Sequence, residues 1–265
     1  MSEPAPHREV VSRRPAARVS VGTAVCIPEI DAPAVQADPA RPAAADDPDA
    51  LYADRADLTK ARRAVDLWRE RLIADPTDVE AAWKIARAAY WLGGRGTPAE
   101  RRAILESGLD AARRAVALAP DRPEGHFWLA ANMGALAESF GLRQGLRYRR
   151  PIKQALERVL AIDPAFQRGS ADRALGRWYF RVPGLFGGSR EKSVEHLRRS
   201  LDYDPTSHAS LFFLAEALAA MNWHREARQA LETLLAAPPD PEWAPEDAEF
   251  KAKARALLAT LRPHG

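Results

Sequence analysis

The chain has almost no cysteine. Its single cysteine, Cys26, excludes an intramolecular disulfide. Its six histidines, His7, His126, His196, His208, His224 and His264, share no metal-ligand spacing, so no metal is expected. No Ser-His-Asp order, paired-carboxylate motif or glycine-rich nucleotide fingerprint stands out. The chain therefore reads as a binding protein without a cofactor, not as an enzyme. No run of about 18 apolar residues occurs, so no segment reads as a transmembrane helix.

Aromatic residues are absent from residues 1–50, which instead hold eight prolines and twelve alanines. Such a segment cannot bury enough apolar area to offset chain entropy and reads as a disordered Pro/Ala-rich tail. Within it Arg13, Arg14 and Arg18 precede a short apolar stretch, 19–27, and Ala43-Ala44-Ala45 resembles a cleavage site. Pro28, Glu29 and Asp31 follow the stretch directly, so any export signal is degenerate. Charge is also scarce in net terms. The tail carries five Lys or Arg against eight Asp or Glu, leaving 34 against 28 for residues 51–265. So small an excess gives no reason to expect nucleic acid.

All seven Trp, five Tyr and eight Phe fall in 51–265, which reads as one helical domain. Four apolar helical stretches there run into proline turns: Asp75-Pro76, Pro120-Asp121, Asp163-Pro164 and Asp204-Pro205. The intervals between these prolines are 44, 44 and 41 residues. A recurrence at this period marks stacked helix pairs, each burying its apolar face against its neighbours. The first helix is expected over 58–74, where Ala61, Ala64, Val65, Leu67, Trp68 and Leu72 form a 3.6-residue stripe. Further helices are expected over 79–92, 98–118 after a Thr97 cap and Pro98, 123–140, 152–162, 171–181, 190–201 after a Ser189 cap, 207–221 and 225–236. A loop bracketed by Gly141 and Gly145 precedes 152. A last helix over 246–261 reads as a polar cap. The fold class is all-α: a tetratricopeptide-like right-handed α-solenoid of about five helix pairs, the first incomplete.

Tyr90-Trp91-Leu92-Gly93, Glu124-Gly125-His126-Phe127-Trp128-Leu129-Ala130-Ala131-Asn132, Arg150-Pro151-Ile152-Lys153, the run from Leu175 to Gly184, and Leu214-Ala215-Glu216-Ala217-Leu218 resemble a divergent tetratricopeptide family. The set is similar to the T component of TRAP-type transporters, over about residues 58–262. That resemblance implies an envelope accessory protein working beside a periplasmic solute-binding protein, with a small hydrophobic or anionic ligand. The general alternative is a scaffold whose groove holds a protein or peptide partner. Location divides the two: periplasm or envelope for the first, cytoplasm if the N-terminal segment is no signal. A homo-oligomer is left open.

In tetratricopeptide pairs the first helix lines the groove at its second, fifth, ninth and twelfth positions. The resemblance thus places Glu80, Trp83, Arg87, Tyr90, Glu124, Phe127, Arg173, Arg177, Phe180, Phe212 and Glu216 there. Aromatics beside Arg suit peptide or anion recognition. The competing reading is that Trp83, Tyr90 and Phe212 pack against a neighbouring helix or the terminal helix folded back. Arg143, Arg147, Arg149, Arg150 and Lys153 form a basic patch, either a solvated face or a contact to phosphates or an anionic membrane surface. In the loop 182–188, Leu185 and Phe186 are expected to tuck against the repeats or a partner. His126 is expected to be buried and satisfied.

Overall fold

The computed structural model describes residues 46–261, and the expectations for the tail up to residue 45 lie outside them. Eleven α-helices and one 3-10 turn, without a strand, make up the described residues. They are α1 (Pro48–Ala53), α2 (Leu58–Ala74), α3 (Val79–Arg95), α4 (Pro98–Leu118), α5 (Pro123–Ser139), α6 (Leu142–Ile162), α7 (Ser170–Arg181), α8 (Arg190–Tyr203), α9 (His208–Ala220), α10 (His224–Ala236) and α11 (Ala244–Thr260). The 3-10 turn, Gly184–Phe186, lies between α7 and α8.

Consecutive helices pack as antiparallel pairs, and α3 also packs on α5, α7 on α9, and α9 on α11. The first helices of the pairs therefore form an inner layer and the second helices an outer one. Short α1 completes the first pair, which the sequence left with one helix. The caps fall where the residue chemistry puts them. Asp57, Asp78 and Ser207 accept backbone N–H groups, and Thr97 with Glu100 forms a reciprocal capping box.

Three apolar clusters run through the stack, centred on Trp68 and Trp91, on Leu105, Leu136, Leu156 and Leu175, and on Leu197, Leu218, Leu231 and Leu234. Asn132, fully buried, ties two inner helices together: its Nδ2 donates to the Ala86 carbonyl at 2.9 Å and to that of Trp128 at 2.8 Å. Gly108 admits it, since a Cβ there would stand 2.5 Å from the Asn132 Oδ1 and from the Ala89 Cβ.

The expected loop before Ile152 is instead helix. α6 begins at Leu142 and carries Pro151 inside it. Proline removes the donor for the carbonyl four residues back. Here that residue, Arg147, is exposed, as is Pro151, so water can take the freed carbonyl.

Candidate binding surface

The inner layer presents α3 packed on α5 and α7 packed on α9, with the Arg177–Glu138 ion pair reaching between α7 and α5. Of the side chains expected on it, three aromatics are withdrawn into packing. Trp83 donates its indole N–H to Glu80 at 3.1 Å, and Arg122 reaches the same carboxylate at 2.7 Å. Phe127 meets Trp128 at 5.0 Å and Phe166 at 5.6 Å, edge to face. Phe212 packs on Phe213 and on Phe250 of α11 at 6.0 and 5.7 Å. Arg87 lies between rings, 4.2 Å from Tyr52 and 5.0 Å from Trp83, with Asp49 at 4.0 Å. α1 supplies both Tyr52 and Asp49, so it covers this end of α3. Burial lowers the Arg87 guanidinium and pushes the Tyr52 hydroxyl up to about 12.

The rest of the surface stays open. Tyr90 is 45% exposed, its ring 5.9 Å from Trp128. Burial nevertheless raises Tyr90 and lowers half-buried Arg173, each feeling the other's charge. Tyr90 thus lies open to solvent on the inner layer, beside a half-buried Arg173. Arg173 has no carboxylate within 4.0 Å among the described residues, whereas Arg177 is held by Glu216 at 2.7 Å and Glu138 at 3.5 Å. Arg177 also lies 4.8 Å from the Phe213 ring and 5.9 Å from that of Phe180. The floor is therefore one uncompensated guanidinium, one phenol and an ion-paired bridge spanning α5, α7 and α9.

The last helix reaches back to the first turn. Arg55, only 4% exposed, pairs with Glu246 at 2.6 Å and donates to the Glu242 carbonyl at 2.5 Å. Its guanidinium stands 5.3 Å from the Tyr52 and Trp91 rings and 5.7 Å from Trp243. The Arg55 carbonyl accepts the Trp91 indole N–H at 2.8 Å. Arg95 on α3 pairs with Glu249, and Arg168 with Asp240 and Asp204. The segment 238–249 thus ties the C-terminal part of the solenoid to its first turn, to α3 and to the α6–α7 connection. Sequence reading missed this clasp because its partners lie 191 residues apart. Trp243, two residues after Pro238-Pro239-Asp240-Pro241, was the one local sign.

Two expectations need correction. His126 is half-buried, its ring nitrogen 2.9 Å from the Pro120 carbonyl oxygen at the surface. Leu185 is 90% exposed and does not tuck against the repeats; only Phe186 does, 5.2 Å from Arg149. The loop is held otherwise. Gly188 N–H donates to the Pro183 carbonyl at 3.2 Å and Ser189 N–H to that of Tyr179 at 3.0 Å. A Cβ on Gly188 would stand 1.7 Å from the Val182 oxygen, and Gly187 has a φ of +100°.

The basic patch lies elsewhere, along α6. Glu80, His126 and Arg177 each bond different neighbours and do not converge. No group of three potential metal ligands occurs among the described residues.

Helix pairs stacked in two layers, with a concave inner face, define a tetratricopeptide-like solenoid. The chain belongs to the family described as RMD1-3, regulator of microtubule dynamics protein 1-3, which it matches over residues 46–262. No curated protein sequence matches it. Among solved structures it is similar to TTC0263, a thermophilic TPR protein of Thermus thermophilus, at 22% identity and a TM-score of 0.62, covering 80% of this chain and 97% of that one. It also matches MamA at 18% identity and a TM-score of 0.48, over 76% and 95% of the two chains. A human IFIT1 dimer with PPP-AAAA matches at 20% identity and a TM-score of 0.39, over 75% and 53%.

Proposed function

We propose that this protein is a non-catalytic binding module whose concave face holds an acidic segment of a protein partner. One observation carries the reading: Arg173, half-buried on the inner layer beside an open Tyr90, has no carboxylate within 4.0 Å among the described residues. A half-buried cation without a close counter-charge is ready to take one from a partner. Guanidinium takes a carboxylate through two parallel hydrogen bonds, and a phenol adds contact area at little entropy cost. Arg177, Phe180 and Glu216 would border the segment. Trp83, Arg87, Phe127 and Phe212 support the floor from behind. The family description names regulation of microtubule dynamics; for this chain we carry over only action through a protein partner.

A second reading keeps the same floor. The likeness to transport T components would place a small anionic solute against Arg173, delivered by a solute-binding protein, with the chain in the envelope. The unpaired guanidinium serves either ligand.

Probing an immobilised library of acidic and neutral peptides with the full chain tests the first reading. Acidic segments should be retained, and Arg173→Gln should abolish the preference while leaving the fold intact, since Arg173 holds no ion pair. Equal retention by the variant, or no acidic preference at all, would sink it.

A further inference from the structure

The first half of α6 and the turn after α7 form a second surface, on an outer helix and so distinct from the groove. Leu142, Leu146 and Arg150 are spaced four residues apart, and Arg149 and Lys153 follow at seven and eleven from Leu142. At 3.6 residues per turn these five share one stripe. Leu142 is 67% exposed and Leu146 36%. Among the described residues, Arg143, Arg147, Arg149 and Arg150 have no carboxylate within 4.0 Å; Lys153 has one, Glu157 at 3.4 Å. The 3-10 turn lies against this stripe, because Arg149 stands 5.2 Å from Phe186 and its carbonyl accepts the Trp178 indole N–H at 2.8 Å. From that turn Leu185 projects at 90% exposure. It is fixed there by the hydrogen bonds of Gly188 and Ser189 and by the contact of Gly188 with Val182.

We infer that this face docks on an anionic lipid bilayer, with the arginines at the headgroups and Leu142 and Leu185 inserted between them. Uncompensated arginines call for a negative partner. Exposed leucines set among them distinguish the candidates. A free phosphate or a nucleic acid backbone has no use for protruding Leu side chains. A rigid acidic protein would need a matched pocket for each. A bilayer surface accepts apolar tips wherever they fall and attracts basic residues electrostatically.

Co-sedimentation of the full chain with phosphatidylcholine vesicles, with and without phosphatidylserine, tests this. The chain should sediment only with the anionic vesicles and be released when salt rises from about 0.15 M to about 1 M. The double variant Arg149→Glu/Arg150→Glu should lower the bound fraction at least about tenfold. Leu185→Asp, in an exposed turn and therefore harmless to folding, should also lower it. No sedimentation with either vesicle, or variants that sediment like the wild type, would overturn the inference. So would a chain that ignores vesicles but binds a polyglutamate resin through the same arginines, which would assign the face to an acidic protein.

Discussion

Arg55 and Glu246 show how a single pair can hold two ends of a chain together. Burial holds the Glu246 carboxyl above the usual carboxylate range, while Arg55 pulls it back. A carboxyl raised in the folded state favours folding while protonated, and that contribution is lost as pH rises through the raised value. Glu246→Gln should therefore gain on the wild type in urea unfolding as pH goes from about 4 to about 7. Arg55→Ala should behave oppositely, because it leaves an ionised carboxylate beside apolar rings. At neutral pH it should destabilise by about 3 kcal/mol, and by less once Glu246 is protonated. A Glu246→Gln variant that loses ground with rising pH would contradict this account of the clasp. Arg173 is the converse case, a guanidinium without a carboxylate within 4.0 Å among the described residues, whose replacement by Gln should not lower stability and should alter binding.

At the scale of elements, burial follows the repeat. Leu175 on α7 is 1% exposed and Leu214 on α9 is 8% exposed, each at an interior position of its stack. Leu175→Ala should cost about 2–5 kcal/mol in denaturant unfolding; a loss near zero would mean the layers are not packed as described. This packing was legible in the sequence because Pro turns, caps and the 3.6-residue stripe all depend on neighbours along the chain. Thr97-Pro98 and Ser189 announced their helices for that reason. α6 was not legible upstream of Ile152, since Gly145 and Pro151 signal a break locally and only the exposed setting of Arg147 lets the helix continue. The candidate surface was legible in part. The tetratricopeptide resemblance put Tyr90, Arg173 and Arg177 on the inner layer, and the competing reading allowed for the terminal helix over Phe212, but neither could say that Phe250 would be the covering residue or that α1 would cover Arg87. Those contacts join segments far apart in sequence and leave no periodic trace.

For the whole molecule, closure decides what a partner can reach. The segment 238–249 bonds to the first turn, to α3 and to the α6–α7 connection. A partner must therefore enter an inner face already bordered by the protein's own carboxylates, Glu138, Glu216 and Glu246. That border favours a segment whose negative charge is narrow enough to meet Arg173 alone. Photo-crosslinking in living cells tests this most directly, with benzoylphenylalanine placed at Tyr90 and, in a separate chain, at exposed Arg113 on outer helix α4. The account predicts a discrete protein adduct from position 90, lost when Arg173→Glu is added and absent from position 113. The same adduct from both positions, or an adduct at 90 that survives Arg173→Glu, would contradict it.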